Sequence, residues 1–189
     1  MPAELLIARE RLRPEMVAEY ERNEREISRA SASLGCPHPY LALVTEDGRE
    51  VWWLNLFASA AEREQVGAAY AQDTPFAAAL QSLGAVKDRF RESLTMTLTT
   101  FRPDLSGGCT LQLTGARFLA VRITRDAPAG NAAVFASAEG ELFAIATATD
   151  RASAERIASE LGPNATVLSA QPQWSFPAQG SMPTLLDPS

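Results

Sequence analysis

Hydrophobic positions switch between strand-like runs and helical spacing over the first hundred residues. "ELLIARERL" is a short apolar run of strand length. In "RPEMVAEYERNEREISRASASLG", Pro14 suits the first helical position and Glu15 the first turn. Val17, Tyr20, Ile27 and Leu34 recur at helical spacing, and Gly35 ends the helix. "YLALVTEDGREVWWLNLF" reads as a hairpin around an Asp47-Gly48 turn. Ser59 and Glu62 form a capping box that opens "AAEREQVGAAYAQDTPFAAALQSL", which Pro75 divides or kinks. "ESLTMTLTTF" is a further strand, closed by Pro103. The order over residues 4–102 is β-α-β-β-α-β, the ferredoxin-like pattern of an α+β fold.

The remaining chain repeats part of this plan. "LALVTEDGREVWWLNLFASAAEREQVGAAY" and "AVFASAEGELFAIATATDRASAERIASEL" both read strand, acidic-Gly turn, strand, capped helix. Gly48 corresponds to Gly140 and Ser59 to Asp150. "RFLAVRIT" and "ATVLSA" supply the flanking strands. "RDAPAG", after Thr124, is too short for a helical crossover. Either the second unit has lost its first helix and starts as a meander, or the similarity is chance. The expected organisation is a ferredoxin-like unit over 1–105, a linker over 106–115 and a shorter, related β-rich unit over 116–170. An irregular arm follows over 171–189, anchored by Trp174 and Phe176. The two units together approximate an α/β barrel.

Strand alternation sorts side chains by face. Trp52, Leu54, Leu56 and Ala58 form a wholly apolar set, expected under the helices. Val51, Trp53, Asn55, Phe57 and Ser59 share the other face. Likewise Leu94, Met96 and Leu98 read as core, with Ser93, Thr95, Thr97, Thr99 and Phe101 opposite. The mixed faces suit a second sheet laid against them, enclosing a cavity. Trp53, Asn55, Phe57, Thr95, Thr97 and Thr99 are the expected ligand-binding residues.

The βαββαβ order and "EVWWLNLFASAAEREQV", a strand running into a capped helix, make the chain similar to the dimeric α/β-barrel superfamily. Its members include antibiotic-biosynthesis monooxygenases, haem-degrading monooxygenases and stress-responsive barrel proteins. The resemblance covers about the first 105 residues and, loosely, the rest. It implies two units packed sheet to sheet around a pocket, here within one chain or between chains of a homodimer. It also implies cofactor-independent oxygenation as an activity, using residue types such as Asn and Trp. Asn55 and Trp53 are of suitable type but match no family motif position. Haem-degrading members use an axial His from a helix and an Asn on the first strand. Here the only His follows the first helix and "ELLIARERL" has no Asn, so no haem or other cofactor is expected.

Composition adds exclusions. The 189 residues are 46% hydrophobic and 21% charged, with a net charge of −6, ordinary for a globular protein. Lys and Arg are scattered, with no basic stripe for nucleic acid. No apolar run reaches a membrane span, and the charged N-terminus lacks a signal-peptide core, so a cytoplasmic, non-membrane protein is expected. One His and two distant cysteines argue against a metal site. His38, in "CPHPY", reads first as part of a stiff connector between Pro37 and Pro39. His38 and Asn55 are weak catalytic candidates, the first as a proton carrier. Cys36, at a helix C-terminus, and Cys109 read as ordinary thiols. "ERNEREISR" reads as a solvated helix face. The leading function is binding of a small, largely apolar or aromatic molecule in an inter-sheet cavity. The alternatives are a monooxygenase-like enzyme acting on an aromatic substrate, and a structural or interaction protein whose inter-sheet space is filled.

Overall fold

Strand β1 (Glu4–Leu12) pairs antiparallel on both sides, with β3 (Glu50–Phe57) and with β4 (Arg91–Phe101). β3 also pairs with β2 (Leu41–Val44), across a turn in which Gly48 takes a φ of +69°. In this computed structural model, which describes residues 2–113 and 115–176, the first four strands therefore run in the order β4-β1-β3-β2. Helix α1 (Val17–Leu34) links β1 to β2 and ends at Gly35, whose φ of +82° suits a residue without Cβ. Pro75 breaks the second helical stretch as expected. α2 (Ala60–Tyr70) is capped by Ser59 and α3 (Pro75–Gly84) by Thr74. The Glu62 side chain reaches the Ala58 N–H, one residue before the cap.

The second half pairs β5 (Phe118–Thr124), β6 (Ala133–Ser137), β7 (Leu142–Ala148) and β8 (Thr166–Ala170) in the order β8-β5-β7-β6. Helix α4 (Arg151–Leu161), capped by Asp150, links β7 to β8. The second half thus runs strand, Gly-turn, strand, capped helix and strand after β5. The expected meander is corrected. β5 and β6 both pair antiparallel with β7, so they are parallel to each other and not adjacent. Residues 125–132 span the return without a helix, since an extended chain covers roughly 3.3–3.6 Å per residue. They run against the end of α4, where a Cβ on Gly130 would lie 3.4 Å from the Glu160 carbonyl oxygen.

Two seams, β4–β6 and β2–β8, close the halves into one eight-stranded antiparallel barrel, with four α-helices outside it among the described residues. The barrel interior is one apolar cluster containing Leu5, Ile7, Trp52, Leu54, Leu56 and Phe135. Leu111 and Leu113, within the 106–115 stretch expected as linker, belong to that core. A second cluster, with Tyr20, Ile27, Trp53, Trp174 and Phe176, lies between the outer face of β1–β3 and helices α1 and α3. A third packs α4 over the second half. Of the expected C-terminal arm, Trp174 and Phe176 are buried and Phe176 bridges to Tyr40; residues 177–189 lie outside the described residues. No helix among the described residues is long and apolar enough to cross a membrane.

Candidate functional site

The registers of β1 with β3 and β4 arrange the wall of the barrel in rows. Ile7 stands opposite Leu54 and Thr97, and Leu5 opposite Leu56 and Thr99; these rows face inward. Ala8 stands opposite Trp53 and Met96, and Leu6 opposite Asn55 and Leu98; these rows face outward. Strand alternation holds, and β4 turns its threonines inward as expected, with Leu94, Met96 and Leu98 on the outer face but exposed rather than in a core; the assignment of faces on β3 is corrected. Trp52 is inside the barrel and Trp53 is under the helices. Trp53, Asn55 and Phe57 therefore do not share a chamber with Thr95, Thr97 and Thr99. The physical reason is that both faces of β3 are covered. Residues Val51–Phe57 are all buried, so hydropathy does not distinguish the two sides.

The inter-sheet space that was the expected ligand chamber holds the apolar core. A cavity of about 490 Å³ instead opens on the other side of the wall, beside Trp53. Ala8, Trp53 and Met96 form its floor, with Leu94 at the sheet edge. Ile27 of α1 and Leu80 of α3 bound it from the helices. Tyr40, Tyr70 and Phe176 close one end, and Glu10 and Lys87 bring charge to the other.

The charged end is a tight network. Lys87 Nζ lies 2.9 Å from Glu24 Oε1 and 3.3 Å from Glu10 Oε1. It also sits 4.9 Å from the centre of the Trp53 ring and 5.4 Å from that of Tyr20, within cation–π range. The Tyr20 hydroxyl donates to Glu10 Oε2 at 2.6 Å and accepts from Trp53 Nε1 at 3.2 Å. Arg91 adds a contact to Glu10 Oε1 at 3.1 Å. Burial pushes the Glu24 carboxyl above its ordinary pKa, partly offset by Lys87. Burial acts to lower Lys87, but Glu24 and Glu10 outweigh it and leave the ammonium above its usual value. Burial, reinforced by Glu24 and Glu10, raises Tyr20 well above its usual value. At neutral pH the network therefore keeps Lys87 charged and Tyr20 protonated.

At the other end, burial raises the phenols of Tyr40 and Tyr70, and Cys36 reinforces the effect on Tyr70. Cys36 Sγ donates to the His38 carbonyl at 3.0 Å and lies 3.3 Å from the Tyr70 hydroxyl; burial pushes the thiol up, away from a nucleophile. His38 is buried. Its ring stacks 4.8 Å from Phe57, and Nε2 lies 3.7 Å from Glu62 Oε1. A carboxylate thus faces it, but it is absent from the cavity lining. Asn55 is completely buried, and neither of its polar atoms makes a hydrogen bond of good geometry. It is close enough to Tyr40 to hold that phenol down slightly against burial. Of the expected site residues, only Trp53 lines this cavity.

Glu10, Tyr20, Glu24, Tyr40, Tyr70 and Lys87 went unremarked as site residues. One signal was present. Glu24 falls four residues after Tyr20 and three before Ile27, on the buried stripe of α1, so "ERNEREISR" is not wholly a solvated face. Asn23, beside it, is buried too. Among the described residues, no three His, Cys, Asp or Glu side chains gather to hold a metal ion.

No family model and no curated protein matches the sequence. Solved structures do resemble it. One from Fusobacterium nucleatum, named "putative monooxygenase", superposes with a TM-score of 0.57 at 7% identity, over 90% of this chain and 92% of that one. A protein of the same name from Lactobacillus acidophilus gives 0.55 at 8% identity, over 90% and 94%. A "putative chlorite dismutase" gives 0.51 at 7% identity, over 90% and 95%. At such identities the likeness is one of fold alone: these structures share the arrangement of an antiparallel barrel with helices outside it.

Proposed function

We propose that the protein binds a small, largely apolar, ring-containing molecule in the cavity between the outer face of β1–β3 and helices α1 and α3. The observation that carries this reading is the cavity of about 490 Å³ beside Trp53, apolar over most of its wall. Ligand sites are typically apolar clefts of about 300–1,000 Å³ with a few placed polar groups. Here the polar groups sit at the two ends, Lys87 and Glu10 at one and Tyr40 and Tyr70 at the other. A ligand with a flat apolar centre and polar atoms at its edges matches that arrangement.

A second reading is an enzyme acting on such a molecule without a cofactor. The hydrogen-bonded chain from Trp53 through Tyr20 to Glu10 ends on the cavity wall beside Lys87, so a proton could be taken up or released at the ligand. The names of two structural neighbours accord with this reading. Their identity to this chain is too low to add more. The matching strand orders of the two halves also fit an origin by duplication of one ferredoxin-like unit, the second having lost its first helix.

The test is a thermal-shift screen with single-ring and two-ring aromatic fragments, counter-screened against Ala8→Phe, which fills the floor of the cavity. Fragments that stabilise the parent and not the folded variant support binding here. Fragments that stabilise both equally place binding elsewhere and end the proposal.

A further inference from the structure

β4 extends past the strand that closes the barrel beside it. It pairs with β1 from Arg91 to Thr100, but with β6 only from Thr99 to Phe101. Residues 92–98 thus have a bonded edge toward β1 and, among the described residues, no strand on the other edge. The main-chain directions follow from two bonds. The Phe101 N–H donates to Ala3 on the β1 side, and the Arg102 N–H donates to Val134 on the β6 side. Alternation then turns the N–H and C=O of Glu92, Leu94, Met96 and Leu98 outward to the open edge.

The same residues carry exposed apolar side chains. Leu94 is 39% exposed, Met96 61% and Leu98 40%. Between them stand Ser93, Thr95 and Thr97 on the opposite face. From Ser93 to Leu98 the edge carries no charge, no proline and no bulge, the devices by which edge strands avoid pairing. Glu92, at its margin, is already held by Arg11 and Arg49.

We propose that this edge is a docking site for a second copy of the chain, joined by antiparallel β4–β4 pairing about a two-fold axis at Thr95. The occupant follows from self-complementarity. A register centred on Thr95 uses the whole open span and pairs outward-bonding residues with each other. It sets Leu94 against the partner's Met96, and Glu92 against the partner's Leu98. Leu94 and Met96 meet each other on one face and hydroxyls meet hydroxyls on the other, as an isologous interface requires, while Glu92, held by Arg11 and Arg49, flanks the partner's Leu98 at each margin. Leu94 and Met96 also line the cavity, so the partner's strand would wall the cavity's sheet-side mouth. The dimer thereby contributes to the site rather than merely adjoining it.

Hydrogen exchange of the full chain, combined with sedimentation over about 1–100 μM, tests this without relying on a variant. The amides of Leu94, Met96 and Leu98 should gain protection with concentration as the mass doubles. The amides of Thr95 and Thr97, bonded to β1, should be protected throughout. Met96→Pro removes only an outward N–H, a change an edge strand tolerates. It should weaken the dimer by about tenfold or more while melting as the parent does at concentrations low enough for both to be monomeric. Leu34→Lys, at another exposed apolar residue, should leave the dimer intact. A parent that stays monomeric, or a dimer indifferent to both Met96→Pro and the double change Leu94→Lys with Met96→Lys, overturns the proposal. So does a dimer that forms only after residues 177–189 are removed, since that segment is then the occupant.

Discussion

Trp52 and Trp53 are neighbours in sequence and lie on opposite sides of the barrel wall. Trp52 packs in the interior, with its Nε1 donating to Glu50 Oε1 at 2.7 Å. Trp53 packs under the helices, with its Nε1 donating to the Tyr20 hydroxyl. One residue of register decides which indole belongs to the core and which to the cavity. Replacing Trp53 with Ala should therefore abolish fragment binding. Either Trp→Ala change should cost roughly 3–5 kcal/mol by chemical denaturation, as for other large buried side chains.

Lys87 holds two buried carboxylates, Glu10 and Glu24. Lys87→Met should destabilise the protein by roughly 3–5 kcal/mol, the cost of leaving a buried charge without its partner. Urea titration at neutral pH measures this. A loss below about 1 kcal/mol would show that the network is solvated in solution.

Glu24 gives stability a definite pH slope. Its folded pKa is raised by burial, so between its unfolded and folded pKa values the native state binds more protons than the unfolded chain. Stability from this group is present below the ordinary carboxylate pKa and declines as pH rises toward the folded value. The stability of the parent relative to Glu24→Gln should therefore fall with rising pH across that window and then level off. A difference that grows with pH would contradict the assignment.

Asn55→Leu should leave the ligand-free protein as stable or more so, because it removes two buried polar atoms that lack partners. A loss above about 1 kcal/mol in thermal or urea unfolding would mean that Asn55 has a hydrogen-bond partner in solution.

Much of the architecture was legible. Turn and cap chemistry located the hairpin at Gly48, the break at Pro75 and the capped helix after Asp150, because those signals are local. What was not legible depended on the far side of each face. Leu94, Met96 and Leu98 look like core by hydropathy but lie on a strand edge beyond the second barrel half. Thr97 and Thr99 do face the interior as their alternation predicts, but beside Ile7 and Leu5 of a packed apolar core and not a ligand chamber. His38 shows the same limit. Two flanking prolines account for a connector, but not for where the ring goes. The ring is buried against Phe57 and faces Glu62, so His38→Ala should cost roughly 1–3 kcal/mol and leave fragment affinity unchanged, being outside the cavity lining.

The indole N–H signals of Trp52, Trp53 and Trp174 in a ¹H–¹⁵N spectrum, assigned by single Trp→Phe changes, test the central claim most directly. During titration with a fragment that raises the melting temperature, the Trp53 signal should move in proportion to occupancy while the Trp52 signal stays fixed. Movement of Trp52 with a stationary Trp53 would put the ligand inside the barrel and contradict the account.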